Sequence, residues 1–158
     1  SLHLFGSVFG SPISRSFWRR IHDRATANVF FHGAYDNDRV GEILADVDVV
    51  VVPSLWYENS PLTIQEAFIA GVPVITADVG GMAELVREGA GGLRFRIGDA
   101  EDLREKLRRV AEEPAILERL RREVPRVPTM AEHGREVLAR YRELLSSSAT
   151  APREPQRA

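Results

Sequence analysis

Four consecutive valines, Val49 to Val52, constrain the fold of this chain more than any other feature. Because each is apolar and β-branched, the run predicts a strand buried on both faces, as strands of parallel sheets are. Pro53 cannot donate a hydrogen bond to a neighbouring strand, so we expect the strand to cover residues 48–53. A sheet buried on both faces must be covered by helices.

The rest of the chain supplies strands and helices in alternation. Successive strand–helix–strand units imply right-handed crossovers and a parallel sheet. The predicted strands are residues 2–5, 29–32, 48–53, 74–77 and 93–96, and the predicted helices are 15–25, 38–47, 62–70 and 82–87. We therefore predict the α/β class, with a Rossmann-like parallel sheet flanked by helices. Ligands of such sheets bind beyond the carboxyl ends of the strands.

The last third of the chain predicts further helices. Asp99 is placed to cap one of them, and a second follows Pro114. A final helix is indicated by apolar residues up to Leu145, after a stiff break over 125–128. We predict one domain over residues 1–145 and a disordered tail over 146–158. Because the chain opens on Ser1 and then at once on a strand, we expect a fragment of a longer protein.

Composition excludes several classes of function. The 21 basic and 23 acidic residues leave a net charge of -2, which gives no electrostatic argument for binding nucleic acid or a membrane surface. The absence of cysteine excludes disulfides and thiolate metal sites, and it fits a reducing, cytoplasmic compartment. The four histidines lack metal-ligand spacing, so no metal site is predicted.

The segment after the valine strand carries the most chemical information. Pro61 suits the first turn of a helix, and Ser60 is a good cap just before it. The amides of Leu62 and Thr63 would then be unpaired at a helix N-terminus beyond a strand end. Free amides and the helix dipole favour an anion such as a phosphate.

Two glutamates accompany this helix start. Glu58 precedes the helix and Glu66 lies within its first turns, so both could accept hydrogen bonds from sugar hydroxyls. A structural interpretation stays open for each of them. Thr63-x-x-Glu66 has the pattern of a capping box, and Glu58 could be a solvated loop residue.

Three further features lie next to predicted strands. Gly80 and Gly81 follow a strand, where they could let backbone amides approach a ligand or could form an ordinary turn with positive φ. Gly71 occupies the position of a helix C-cap. Asp46 and Asp48 form an Asp-x-Asp motif, but it precedes its strand, so we interpret it as a helix end and a strand start.

The run from Asp48 to Leu107 resembles the C-terminal, donor-binding domain of GT-B glycosyltransferases, specifically family 4, the retaining group 1 enzymes. The resemblance extends over about residues 2–145 and implies one half of a GT-B fold. The segments that carry it are 45–54, Glu58, Glu66-Ala67-Phe68, Gly71-Val72-Pro73-Val74-Ile75, Gly80-Gly81-Met82-Ala83-Glu84-Leu85-Val86 and Gly92-Leu93, with Phe30-Phe31-His32-Gly33 earlier.

This resemblance implies a role for each candidate residue. Glu58 would be the catalytic-site residue that holds hydroxyls of the transferred sugar, and Glu66 would bind the ribose. The remaining donor-binding residues would be the amides of Ser60, Leu62 and Thr63 at the diphosphate, Gly33, Ala34 and Tyr35 near the base, and Gly80 and Gly81.

The resemblance also implies a substrate and its partners. The donor would be a UDP-, GDP- or ADP-linked sugar, transferred with retention, without a cofactor or bound metal. The acceptor would be bound by an N-terminal domain outside this chain, and the basic diphosphate-binding residues of the family would precede Leu2. The fragment alone is therefore expected to be an inactive part of a hexosyltransferase-type enzyme. Any membrane association, at the inner face, would come from the absent parts.

Two other functions remain open from the sequence. The first is a non-enzymatic nucleotide-binding or regulatory module of the same fold. The second is an epimerase or a phosphorylase on the same architecture. The chain has a single lysine, Lys106, on an amphipathic helix, which argues against a pyridoxal-dependent phosphorylase.

Overall fold

The computed structural model describes residues 1–7 and 12–149. It divides the chain into two compact units, Ser1–Val124 and a second unit that begins at Pro125. The sequence predicted one domain over 1–145 instead. The boundary falls at the predicted proline break, because a segment whose prolines have fixed φ angles and no amide donor continues neither the preceding helix nor a sheet.

The amino-terminal part of the first unit is a helix packed on a two-stranded parallel sheet. Leu2, His3 and Leu4 pair in register with Val29, Phe30 and Phe31. The ring of Trp18 meets Phe31 edge-on at 4.9 Å, which fixes the helix on the sheet. The elements are β1 (Leu2–Phe5), α1 (Pro12–His22) and β2 (Val29–Gly33).

A second parallel sheet carries the core of the first unit. Its elements, with the segments that connect them, are a 3-10 turn (Asn37–Arg39), α2 (Val40–Ala45), β3 (Val50–Val52), α3 (Leu62–Ile69), β4 (Val74–Ala77), α4 (Gly80–Leu85), β5 (Arg87–Glu88) and β6 (Gly91–Phe95). The strands are ordered β3-β4-β6-β5. The predicted α/β class with parallel sheets and flanking helices is confirmed. Within the described residues, however, the strands pair in two sheets instead of one.

The buried centre of this sheet is β4, not the valine strand. All four residues of β4 are buried, whereas Val50, Val51 and Val52 are each half-buried. The predicted burial of the valine run on both faces is therefore wrong. The reason is position, since β3 lies at an edge of its sheet while β4 has a partner on both sides. The core around β4 includes Ile64, Met82, Leu93 and Leu120.

Helices α5 (Ala100–Glu112) and α6 (Pro114–Arg122) complete the first unit. Asp99 caps α5 as predicted, since its carboxylate accepts from the amides of Glu101 and Asp102 at 3.1 and 3.0 Å. At the end of α3, Gly71 has φ +74 and donates to the carbonyl of Phe68, while Val72 donates to Ala67. This pair of bonds is a Schellman motif, so the predicted C-cap role of Gly71 is confirmed.

The second unit contains helix α7 (Met130–Ala149). A reciprocal capping box starts it: the Thr129 amide donates to Glu132 at 2.8 Å, and the Glu132 amide donates to the Thr129 hydroxyl at 3.3 Å. The prediction of a disordered tail over 146–158 is wrong for residues 146–149, which belong to α7. Residues 150–158 lie outside the described residues. In the described part of the chain, no helix combines the length and the apolar character that a bilayer span requires.

The capping box predicts how the second unit responds to acid. The guanidinium of Arg126, then the amide and hydroxyl of Thr129, lower the pKa of Glu132 from 4.5 to about 2. A lowered folded-state pKa stabilises the fold fully above pH 4.5, and this contribution is lost as the pH falls through about 2. An NMR titration should find the Glu132 carboxyl midpoint near this low value.

The variant Arg126→Gln provides the control. It removes the largest cause of the shift, so the Glu132 pKa should rise toward its ordinary value of 4.5. An unchanged midpoint in this variant would show that Arg126 does not hold the carboxylate in solution.

Candidate functional site

A compact turn follows the carboxyl end of β3 and positions Glu58. The Ser54 hydroxyl accepts from the Trp56 amide at 3.2 Å and donates to the Glu58 carboxylate at 3.4 Å. The Glu58 amide donates to the Trp56 carbonyl at 2.9 Å. The turn leaves Glu58 half-buried while Trp56 and Tyr57 are 75% and 72% exposed. Glu58 is therefore a held carboxylate, not a freely solvated loop residue.

Helix α3 begins immediately after this turn without a side-chain cap. Its N-cap residue is Pro61, and no side chain in the described residues caps it. The predicted capping role of Ser60 is wrong, because its hydroxyl instead accepts from the Gln65 amide group at 2.6 Å. Leu62 and Thr63 are exposed in the first turn. This arrangement leaves the amides at the start of α3 without a side-chain partner. Together with the helix dipole, such free amides favour an anion.

The capping-box interpretation of Glu66 is also wrong. Thr63 lies inside α3 and not at its N-cap, so the four-residue pattern is displaced from the helix end. Glu66 is half-buried in the second turn. Its carboxylate is therefore not used to satisfy the backbone of its own helix.

Gly80 and Gly81 bring the start of α4 against the Glu58 turn. The Gly81 amide donates to the Glu58 carbonyl at 2.8 Å. A Cβ on Gly81 would lie 1.7 Å from the Asn59 carbonyl oxygen, a distance that no side chain tolerates. Gly80 has φ +53, so the alternative of a turn with positive φ holds for it. The two glycines let protein backbone approach protein backbone, and the Gly81 amide is already used by Glu58.

Gly33, Ala34 and Tyr35 lie at the equivalent end of the other sheet. Gly33 ends β2 with φ +74, and its carbonyl accepts from the Gly6 amide at 2.7 Å. Tyr35 is 42% exposed and meets the Phe5 ring edge-on at 6.0 Å. The structure thus places these three residues at a carboxyl strand edge, as predicted, and Gly33 and Tyr35 contact the end of β1 and the residue after it.

Sequence reasoning missed a stack of rings on the β1–β2 sheet. His3 Nδ1 lies 2.9 Å from His32 Nε2, and the His32 ring stacks on Phe5 at 4.3 Å. His3 also stacks on Phe30 at 5.0 Å. Alternate residues of a strand share a face, so the spacing of His3 with Phe5 and of Phe30 with His32 was the available signal. The register of β1 on β2 was needed to bring the two pairs together.

The acidic residues near β3 do not form a ligand cluster. Asp46 caps the end of α2, and the Asp48 carboxylate pairs with Arg121 at 2.5 Å. The interpretation of Asp46 as a helix end is confirmed, but Asp48 does not start the strand, because β3 begins two residues later at Val50. Among the described residues no group of three or more histidine, aspartate or glutamate side chains is arranged to hold a metal ion.

Two cavities of about 310 and 350 Å³ flank β1 and α1. The first is lined in part by Phe5, the last residue of β1, and by Gly6 and Ser7, which follow the carboxyl end of that strand. Neither lining includes Glu58, Glu66 or another predicted donor-site residue. The cavities therefore do not define the candidate site, which rests on the contacts of the Glu58 turn.

A family model described as "Glycosyl transferases group 1" matches residues 16–126, more than half of the chain. The chain belongs to this family. The family expected from the glutamates and the glycine motifs is thus confirmed.

Curated relatives share part of the chain. It is 38% identical over 100 residues to the D-inositol 3-phosphate glycosyltransferase of Rhodococcus opacus. These residues cover 63% of this chain and 22% of the relative. It is 37% identical over 81 residues to the sulfoquinovosyl transferase SQD2 of Arabidopsis thaliana, covering 49% and 16%. The chain therefore spans about a fifth of the length of these relatives.

Solved structures share the fold. The sucrose-phosphate synthase of Thermosynechococcus elongatus is 25% identical, with a TM-score of 0.75 over 92% of this chain and 39% of that protein. The Anabaena protein HepE, in complex with UDP-glucose, is 25% identical, with a TM-score of 0.68 over 77% of this chain and 34% of that one.

The close approach at Gly81 predicts a sharp response to substitution. Gly81→Ala should lower the free energy of unfolding by about 1–3 kcal/mol, since the added methyl group must displace the Asn59 backbone. Chemical denaturation of the chain measures this loss.

Gly41→Ala is the matched control. Gly41 lies within α2, and nothing is within 4 Å of the position its Cβ would take. Alanine there should stabilise the helix by roughly 0.5–1 kcal/mol. If the two variants had the same stability, the contact between α4 and the Glu58 turn would not exist in solution.

Proposed function

We propose that this chain binds the nucleotide-sugar donor of a retaining glycosyltransferase that needs no metal. The observation that carries the proposal is the half-buried Glu58 beside the uncapped N-terminus of α3, at the carboxyl end of β3. Family membership and the likeness to a protein crystallised with UDP-glucose support the same ligand class.

Each part of the donor has a proposed place. Glu58 accepts hydrogen bonds from hydroxyls of the transferred sugar, and Glu66 binds the ribose. The diphosphate lies at the start of α3, on the amides of Ser60, Leu62 and Thr63. The base lies near Gly33, Ala34 and Tyr35. Gly80 and Gly81 contribute by holding the Glu58 turn, since the Gly81 amide is bonded to the Glu58 carbonyl.

The charge balance of this arrangement supports transfer without a metal. As the bond between sugar and phosphate breaks, negative charge develops on the leaving diphosphate. The open N-terminus of α3 presents amides and the positive end of its dipole to that charge. Preorganised donors of this kind stabilise developing charge in the same way as an oxyanion hole.

The remaining elements of the proposal concern the whole enzyme. We propose a hexosyltransferase type whose acceptor is bound by a separate domain, so that these 158 residues bind the donor without transferring it. The proposed compartment is the cytoplasm, or the inner face of its membrane. Against a pyridoxal-dependent phosphorylase stands the ion pair of Lys106, whose amine lies 3.4 Å from the Glu88 carboxylate; its side chain is 17% exposed, so exposure is not part of this argument.

Substitution of the two glutamates tests the proposal. Losing a hydrogen bond to a charged group costs roughly 1.5–3 kcal/mol, or about 10- to 150-fold in affinity. Glu58→Gln should lower the affinity for UDP-glucose by this factor and leave the affinity for UDP unchanged. Glu66→Gln should weaken both ligands, with little loss of fold stability, because Glu66 caps nothing. Calorimetric titration of each variant with both ligands measures the difference.

Glu118→Gln, on the exposed face of α6, is the control and should match the unsubstituted chain for both ligands. UDP binding that is unaffected by Glu66→Gln would contradict the ribose role. A thermal-shift screen of UDP-, GDP- and ADP-sugars identifies the base, since a ligand that binds only the native state raises its melting temperature.

Metal removal is a separate test. Because the helix terminus and not a cation is proposed to face the diphosphate, EDTA should leave the affinity for UDP-glucose unchanged. A loss of affinity that Mn²⁺ restores would show that a cation belongs to the site.

A further inference from the structure

Arg94 is a charged residue within a buried strand. It lies in β6 between Leu93 and Phe95, which are 2% and 4% exposed, and it pairs in register with Thr76 of β4. Its own side chain is 32% exposed. Its Nε is buried and has no hydrogen-bond partner among the described residues. Because an apolar residue would fill this position without leaving a buried donor unpaired, the contacts of the guanidinium need an explanation.

Those contacts join two points of one short segment. Nη1 of Arg94 lies 3.2 Å from the Asp78 carboxylate and donates to the Ala83 carbonyl at 3.2 Å. Asp78 is the first residue after β4, and Ala83 lies within α4. The guanidinium therefore spans the segment that contains Gly80 and Gly81.

The same segment holds the sugar-binding glutamate of the proposed function. The Gly81 amide donates to the Glu58 carbonyl at 2.8 Å, and the missing Cβ of Gly81 permits the approach. Glu58 has two further contacts: its amide donates to the Trp56 carbonyl at 2.9 Å, and its carboxylate accepts from the Ser54 hydroxyl at 3.4 Å. The shortest of the three contacts thus depends on the position of α4, and Arg94 contacts residues on both sides of Gly81.

We propose that Arg94 is a positioning residue for donor-sugar selectivity: it holds residues 78–83 so that the Gly81 amide fixes the Glu58 turn. This inference rests on the proposed function, in which Glu58 binds the sugar. Glu66 lies on α3, outside this series of contacts, so Arg94 acts on the sugar-binding Glu58 and not on the ribose-binding Glu66.

The test compares two ligands on the 158-residue chain. Arg94→Met should lower the affinity for UDP-glucose about tenfold, which is the effect of losing one ordered contact. The affinity for UDP should stay unchanged. Arg94→Lys keeps the charge opposite Asp78 and should recover part of the UDP-glucose affinity. Calorimetric titration gives both affinities for each variant.

The matched control is Arg96→Met. Arg96 lies just beyond β6, and its guanidinium also pairs with carboxylates, Asp99 and Asp102, but its side chain is 76% exposed. Among the described residues, its ion pairs are with Asp99 and Asp102 and not with residues 78–83. Both ligands should bind this variant as they bind the unsubstituted chain.

A second measurement needs no ligand. Amide hydrogen exchange at Gly81 reports its bond to Glu58 directly. It should be about tenfold faster or more in Arg94→Met, and unchanged in Arg96→Met and Glu58→Gln. If Arg94→Met fails to fold, the same two measurements are made on Arg94→Lys and Asp78→Asn. A smaller loss of UDP-glucose affinity and a smaller increase in Gly81 exchange in both variants would support the inference.

The outcomes separate this inference from the proposed function. If Glu58→Gln does not weaken UDP-glucose, the proposed function is wrong. If Glu58→Gln weakens it while Arg94→Met leaves its affinity and Gly81 exchange unchanged, only the inference about Arg94 is overturned. An equal loss of UDP and UDP-glucose in Arg94→Met also overturns it, because it indicates a general structural role.

Discussion

The contact between the Gly81 amide and the Glu58 carbonyl joins the two loops on which the candidate site depends. It follows from the parallel pairing of β3 and β4, whose register aligns Val52 with Thr76 and so ends both strands at one edge. The Thr76 hydroxyl donates to the Val52 carbonyl at 3.2 Å, which joins the two strands at this edge. Since a Cβ at Gly81 would overlap the Asn59 backbone, only glycine permits this junction.

The helix starts of this chain differ in how their free amides are satisfied. At α5 the Asp99 carboxylate accepts two of them, and at α7 Thr129 and Glu132 form a reciprocal box. At α3 the N-cap is Pro61 and has no side-chain cap among the described residues. Helices α2, α4 and α6 also begin without a side-chain cap, so the missing cap alone does not distinguish α3. We propose α3 for the diphosphate because its uncapped start also lies beyond the carboxyl end of β3, directly after the Glu58 turn.

Two matches to one local pattern show where sequence reasoning stops. Thr63-x-x-Glu66 and Thr129-x-x-Glu132 are equally good capping boxes by residue type. The structure forms the box at Thr129 and not at Thr63, because α3 begins one residue before Thr63. Residue types and their spacing show where a capping box could form. The packing of the preceding loop determines where the helix begins.

By itself, the sequence determined the alternation of strands and helices, the α/β class, the family, the caps at Asp99 and Gly71, and the candidate glutamates. Each of these depends on residue type and on spacing along the chain. Only the tertiary structure decided that β4 and not the valine strand is buried, that the Gly81 amide is bonded to Glu58, and that Arg94 reaches Asp78 and Ala83. These depend on strand order and on contacts between residues distant in sequence, which no local pattern encodes.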